Sequence, residues 1–142
     1  MTTAPAVIDT NVVVSGFLTA LASSPTVRIL DGMLAGRFRF LLSLELLTEY
    51  RDVLRRPRIR RRHELADAGV DIILTDIVAN AVMVEVASHG GPHPRRADAH
   101  LWRLLAAAPG ATLVTGDLRL IERPVGGSRV ITAREFADSI WP

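Results

Sequence analysis

The chain contains no cysteine and no lysine. Without cysteine it can form no disulfide, offer no thiolate nucleophile and build no cysteine–zinc site. Without lysine it has no Schiff-base amine, no P-loop lysine and no lysine general base. All 17 basic residues are therefore arginines, set against 15 acids for a formal net charge of +2. So small an excess is weak support for a nucleic-acid partner; the distribution of charge matters more than its sum. Also missing is any apolar run of the roughly 18–20 residues that a membrane span needs, and the N-terminus shows no basic region followed by an apolar stretch. The expectation is a soluble, cytoplasmic protein with no membrane partner. What is present suits one core: 142 residues, 49% hydrophobic and 23% charged, too apolar for wholesale disorder. With no repeat, low-complexity tract or long linker, residues 1–142 read as a single domain.

Along the chain, strands alternate with helices. Ala6-Val7-Ile8 reads as a short buried strand ending in Asp9-Thr10-Asn11. Ser24-Pro25 opens a helix that Gly36 stops, because serine caps well and proline at the first helical position wastes no hydrogen bond. Residues 38–42 form a second strand candidate, and Ser43 caps a helix carrying Leu44, Leu47, Tyr50 and Leu54 before Pro57. A charged helical segment from about residue 59 to 68 is expected to break at Gly69 and resume over 70–81. Residues 82–86 are rich in β-branched valine and read as a strand, or as a continuation of that helix. Ser88 to Pro94 is a loop by its glycines and prolines. A helix over about 95–108 follows, then strands at 112–115 and 129–131. Thr132-Ala133-Arg134-Glu135 has capping-box spacing and opens the last helix. The alternation predicts an α/β fold with a central, mainly parallel β-sheet flanked by helices.

In such sheets functional groups gather beyond the carboxyl ends of the strands. Two strand candidates end in aspartate, at Asp9 and Asp117; if those strands are neighbours, the two carboxylates converge. Asp98 starts the helix that leads into the second strand, so it can face the same crevice. Glu49 lies mid-helix between Leu46 and Val53, on an inward-leaning face. Each acid alone is compatible with a cap, a helix N-terminal charge or a solvated helix position. Together they would repel one another unless a cation sat among them, and Mg²⁺ or Mn²⁺ prefers such oxygen ligands.

The run Ile8-Asp9-Thr10-Asn11-Val12-Val13-Val14-Ser15-Gly16 resembles the opening motif of PIN-domain ribonucleases, especially the bacterial VapC-like toxin group. The resemblance continues through Ser24-Pro25, Leu41-Leu42-Ser43, the stretch from Leu46 to Pro57 and Leu113-Val114-Thr115-Gly116-Asp117. These pieces cover most of the chain in order. The resemblance implies that Asp9, Glu49, Asp98 and Asp117 are acidic metal-binding, catalytic residues, with Thr10, Asn11 and Thr115 orienting ligands or water. It also implies a single PIN-like domain, Mg²⁺- or Mn²⁺-dependent endoribonuclease activity on RNA phosphodiesters, a toxin role, an antitoxin partner and a homodimer. Relatives often carry further acids where this chain has Pro94-Arg95-Arg96-Ala97 and Arg119. Those departures suggest one metal ion rather than two, with Arg95, Arg96 and Arg119 available to phosphate. They also motivate the alternative of a non-catalytic PIN-like RNA- or partner-binding module.

Seven arginines lie between Arg51 and Arg62, opposed within that stretch only by Asp52. They form either a solvated helical face or a rim that holds an RNA backbone without reading sequence. Few aromatics lie nearby, which does not support base stacking there. His89 and His93 share a loop but lack two further zinc ligands at suitable spacing. His100 is expected on a different helix face from Asp98. Residues 70–86 and Ile140-Trp141-Pro142 offer apolar material for the core or for a partner. A phosphotransferase of another α/β family fits poorly. The haloacid-dehalogenase-like motif needs an aspartate where Asn11 stands, and a response-regulator receiver needs a lysine.

Overall fold

A computed structural model of the chain describes residues 4–86, 98–124 and 126–141. Its strands are β1 (Ala6–Ile8), β2 (Leu41–Leu42), β3 (Val82–Met83), β4 (Thr112–Val114) and β5 (Arg129–Ile131). The helices are α1 (Thr10–Leu18), α2 (Pro25–Ala35), α3 (Leu44–Leu54), α4 (Pro57–His63), α5 (Asp67–Asn80), α6 (Ala99–Ala107), α7 (Leu118–Glu122) and α8 (Ala133–Ile140). Every pairing between these strands is parallel: β1 with β4, β4 with β5, and β2 with β3. A parallel bridge between Ala6 and Phe40 joins the two sets. The resulting order is β3-β2-β1-β4-β5, the expected α/β arrangement of a parallel sheet flanked by helices. From β1 the chain builds outward through β2 to β3, then returns to place β4 on the other side. Such reversals leave a crevice at the carboxyl ends of the strands concerned.

Burial explains why so short a sheet holds. Ala6, Val7 and Ile8 are fully buried, as are Leu113 and Val114, so β1 and β4 read as continuous apolar runs rather than alternating ones. Around them pack Ile29, Met33, Phe40, Leu42, Leu46, Leu54, Ile77 and Leu104. Tyr50 is buried with them and donates its hydroxyl to the Ile8 carbonyl at the carboxyl end of β1. Burial, with the nearby charges of Asp9 and Glu49, pushes the Tyr50 hydroxyl well above its ordinary pKa, so it stays a donor. Caps set the helix boundaries. The Ser43 hydroxyl accepts from Leu46 N–H at 3.1 Å, Thr132 and Glu135 form the expected capping box, and Gly36 ends α2 in the left-handed region at φ 65°. Ser24 does stand at the α2 N-cap, but its hydroxyl meets Thr26 Oγ1 at 3.2 Å rather than a backbone amide.

Several boundaries differ from the sequence expectation. α1 was not anticipated: Val12, Val13 and Val14 are poor helix formers, yet all are buried in a helix that Asp9 caps. Tertiary packing overrides propensity there. α7 was likewise not anticipated, being a single turn capped by Asp117. The expected break at Gly69 falls instead at Glu64, whose left-handed φ of 60° ends α4. Gly69 lies inside α5. β2 and β3 are two residues each, shorter than the proposed 38–42 and 82–86; residues 82–83 resolve as strand rather than helix. The expected helix over 95–108 is seen as Ala99–Ala107, with residues 95–97 outside the described residues. The Ser88–Pro94 loop, with His89 and His93, also lies outside them.

Two helical glycines should respond oppositely to the same change. A Cβ at Gly16 would stand 2.9 Å from both the Thr26 carbonyl oxygen and Leu30 Cβ, where α1 crosses α2. At Gly69 it would meet only Leu65, at 3.8 Å. Gly69→Ala should therefore stabilise the protein by about 0.5–1 kcal/mol. Gly16→Ala should destabilise it, because overpacking costs of roughly 1–3 kcal/mol outweigh the helix-propensity gain. Urea unfolding of both variants checks the two signs.

Candidate active site

The site is built on the end of β1. Asp9 is only 6% exposed, and its carboxylate is held by three donors. Oδ1 accepts from Thr10 N–H at 2.8 Å, capping α1. Oδ2 accepts from the Thr115 hydroxyl at 2.7 Å and from Asn11 Nδ2 at 3.2 Å. Thr115 directly follows β4, so this pair ties the ends of the two neighbouring strands together. Its hydroxyl also accepts from Asp117 N–H at 3.0 Å, while Asn11 Oδ1 accepts from Gly116 N–H at 2.9 Å. The N-cap Asp9 and Asn11 of α1 thus fix the loop that carries Asp117. The roles suggested for Thr10, Asn11 and Thr115 take a concrete form here: they hold the acids and their loops in place.

Asp9, Glu49, Asp98 and Asp117 all line one open cleft of about 560 Å³, together with Arg56 and Arg62. Four segments distant in sequence contribute these acids: the end of β1, the middle of α3, the start of α6 and the turn after β4. Glu49 is held at both oxygens. Oε1 accepts from the Thr10 hydroxyl, and Oε2 lies 3.0 Å from His100 Nε2. Asp117 accepts from Arg119 through its backbone N–H at 3.0 Å and its guanidinium at 3.2 Å.

Asp98, at the N-cap of α6, lines the cleft, whereas His100 does not; the sequence reading missed only that His100 stands behind Glu49 and bonds its carboxylate. Five of the seven arginines divide into two groups. Arg51 and Arg55 pair with Asp71, and Arg60 with Asp67, whereas Arg56 and Arg62 face the acids.

The electrostatics fit a site that wants a cation. Burial raises the Asp9 pKa, the nearby charges of Glu49 and Asp98 raise it further, and the hydrogen bonds from Thr115 and Thr10 offset part of this. The Glu49 pKa is lowered, chiefly by its hydrogen bond from His100, with Thr10 and the charges of His100 and Arg56 adding to it against burial. For His100, burial works to lower the pKa but is outweighed by the hydrogen bond and charge of Glu49 and by the charges of Glu45 and Asp9, so the value rises. Among the described residues, no three Asp, Glu or His side chains stand close enough to enclose an ion as they are. Glu49 is drawn onto Thr10 and His100, and Asp117 onto Arg119. The donor set nevertheless suits a hard divalent cation: carboxylate oxygens around one cleft, with a buried Asp9 whose ionisation a positive charge would favour.

A family model for the PIN domain matches residues 5–119, most of the chain. The chain belongs to the PIN-domain family. No curated protein and no solved structure matches it significantly. PIN domains have in general a nuclease-like fold and use divalent metals. The matched span contains all four acids of the cleft. No helix among the described residues is long and apolar enough to cross a membrane.

The Glu49–His100 pair sets a pH signature for the metal-free protein. The contribution from His100, whose folded pKa is raised, is complete below about pH 6.5 and is lost as pH rises through the folded value. The contribution from Glu49, whose folded pKa is lowered, is present above about pH 4.5 and is lost as pH falls through the folded value. His100→Ala should therefore cost most stability between those limits. Because Glu49 is about one-third exposed, the loss should be only about 1 kcal/mol, shrinking toward pH 9. Urea unfolding in a chelator at pH 5.5 and pH 9 checks this.

Proposed function

We propose that this PIN-domain protein is a metal-dependent endoribonuclease that hydrolyses RNA phosphodiesters, and that it is the VapC-like toxin of a toxin–antitoxin pair. The observation that carries the reading is the gathering of Asp9, Glu49, Asp98 and Asp117 around one cleft that two arginines also enter. Asp9, Asp98 and Asp117 would hold one Mg²⁺ or Mn²⁺. When bound, such an ion supplies Lewis acidity toward a phosphoryl oxygen and lowers the pKa of water. The chain's own groups do the positioning. Thr115 and Asn11 fix Asp9 and the Asp117 loop, and Thr10 and His100 hold Glu49 ionised at the wall, where it can orient the attacking water. Because Arg119 occupies Asp117, ion binding would draw that carboxylate away and release a guanidinium toward phosphate.

The reading brings with it a cytoplasmic setting, an antitoxin and a homodimer. Of the apolar stretch over residues 70–86, Val70, Leu74 and Ile77 are buried in the core, while Ile72, Val82 and Met83 are exposed and can serve a partner. Trp141 packs against Phe38 beneath Arg28 and Arg37. A second reading, a non-catalytic RNA- or partner-binding module, draws on the occupation of Asp117 by Arg119 and of Glu49 by Thr10 and His100. It predicts RNA retention without turnover in Mn²⁺.

Asp9→Asn and Asp117→Asn should each reduce Mn²⁺-dependent RNA cleavage by more than about 100-fold, beyond the usual cost of losing an outer-shell partner. Both should stay folded, since asparagine caps a helix about as well as aspartate. Gel analysis of digested RNA, with circular dichroism as the folding check, distinguishes the readings. Undiminished cleavage by Asp117→Asn would refute the assigned site.

A further inference from the structure

The seven arginines of residues 51–62 are not one basic patch. α5 carries Asp67 and Asp71 along the side that meets the ends of α3 and α4. Arg51 Nε lies 3.3 Å from Asp71, Arg55 NH2 lies 2.8 Å from it, and Arg60 NH1 lies 2.9 Å from Asp67. Those three guanidiniums share two carboxylates and are not among the residues that line the cleft. Arg56 and Arg62, by contrast, form part of the cleft wall. Neither makes an ion pair with a carboxylate among the described residues, and both are exposed.

Their placement follows from a local device. Arg56 is extended at ψ 135°, which turns the chain sharply between α3 and α4, and Pro57 restarts it as a helix. His63 then fastens the far end. Its Nδ1 accepts from Leu65 N–H at 2.9 Å, which leaves Nε2 to donate to the Leu54 carbonyl at 2.8 Å. Phe17 of α1 stands against the His63 ring, with centroids 6.2 Å apart. The short α4 is therefore pinned to the end of α3 and to α1, the helices that carry Glu49 and begin at Asp9. At about 1.5 Å per residue, Arg56 and Arg62 are separated by roughly 9 Å along α4, enough for two separate contacts.

We propose that Arg56 and Arg62 are the substrate-positioning residues of the cleft, each engaging a backbone phosphate of an unpaired RNA strand, and that Arg51, Arg55 and Arg60 take no part in binding. This rests on the nuclease reading above, whose acids define where the reacting phosphate lies. The remaining lining supports a backbone contact. Val14, Leu18, Val53, Ser15 and Thr19 also line the walls, and among the described residues no aromatic side chain lines the cleft for a base to stack on. Its volume of about 560 Å³ is that of a small-molecule pocket, room for part of one strand. Recognition through paired guanidiniums alone would be tolerant of sequence.

The test measures binding of a short labelled unpaired RNA to the full chain in a chelator, by fluorescence anisotropy across a salt series. Each phosphate contact on a single strand contributes about 0.7 to the slope of log K against log salt. The double variant Arg56→Gln with Arg62→Gln should lower the slope by about 1.4. The double variant Arg51→Gln with Arg60→Gln, which removes equal charge, should leave it unchanged. Arg56→Lys with Arg62→Lys should restore the slope and shows that the site still folds. In Mn²⁺ the Gln pair at 56 and 62 should raise KM far more than it lowers kcat. Equal slope losses in the two Gln pairs, no loss in either, or no RNA binding by the unaltered chain would each overturn the assignment. Binding with the expected slopes but no Mn²⁺-dependent turnover would uphold the arginine assignment and overturn the nuclease reading. Turnover with unchanged KM in the 56 and 62 pair would do the reverse.

Discussion

A carboxylate buried at the end of a central strand must find donors, and Asp9 finds them at both extremes of the matched sequence. Its neighbours in the chain, Thr10 and Asn11, supply two of the bonds, and Thr115 supplies the third. One side chain therefore starts α1, closes the gap between β1 and β4, and faces the cleft. Removing a donor would leave a buried charge undersatisfied, which costs more than an ordinary hydrogen bond contributes. Much of the surrounding design can be read as support for this residue. Tyr50 secures the carbonyl of the residue before it, and Asn11 holds the backbone of the turn opposite.

The same economy governs charge. The chain has only two more basic residues than acidic ones, yet opposite charges are sorted by location. Acids of α5 face part of the arginine cluster, and acids of four other segments face a cleft that Arg56 and Arg62 also line. Within that cleft, Arg119, His100 and Thr10 occupy carboxylates that would otherwise repel. These partners make the metal-free site stable at the expense of preassembly. Under the proposed function a cation would have to compete for Asp117 and Glu49, so its affinity should depend on how readily those exchanges occur as well as on ligand count.

Much of this was legible before any coordinates. Parallel α/β alternation follows from the apolar runs at residues 6–8 and 112–114 and from strong caps such as Ser43 and Thr132. The convergence of Asp9 and Asp117 required only that their strands be neighbours, which they are. Other features depended on tertiary terms. The valines of α1 hide a helix because burial outweighs their propensity. Glu64 takes a left-handed conformation that glycine would ordinarily mark, while the actual glycine nearby, Gly69, sits quietly within α5. His100 keeps to a different side of α6 from Asp98, and its bond to Glu49 depends on a helix packing that periodicity alone does not give. The division of the arginines could not be read from spacing at all, since it depends on which acids α5 presents across a helix junction.

The strand order has a consequence for how the protein comes into being. Ala6 pairs with Thr112, so β1 is the earliest strand synthesised and one of its two partners is among the last. Local helices and the pairing of β1 with β2 can form early, but contacts this far apart in sequence form slowly and late. Until residue 117 has left the ribosome, Asp9 has no Thr115 beside it and the cleft has only part of its wall. Under the ribonuclease function proposed above, a nascent chain would be harmless to the message from which it is being translated, because the cleft is completed only as β4 joins the fold.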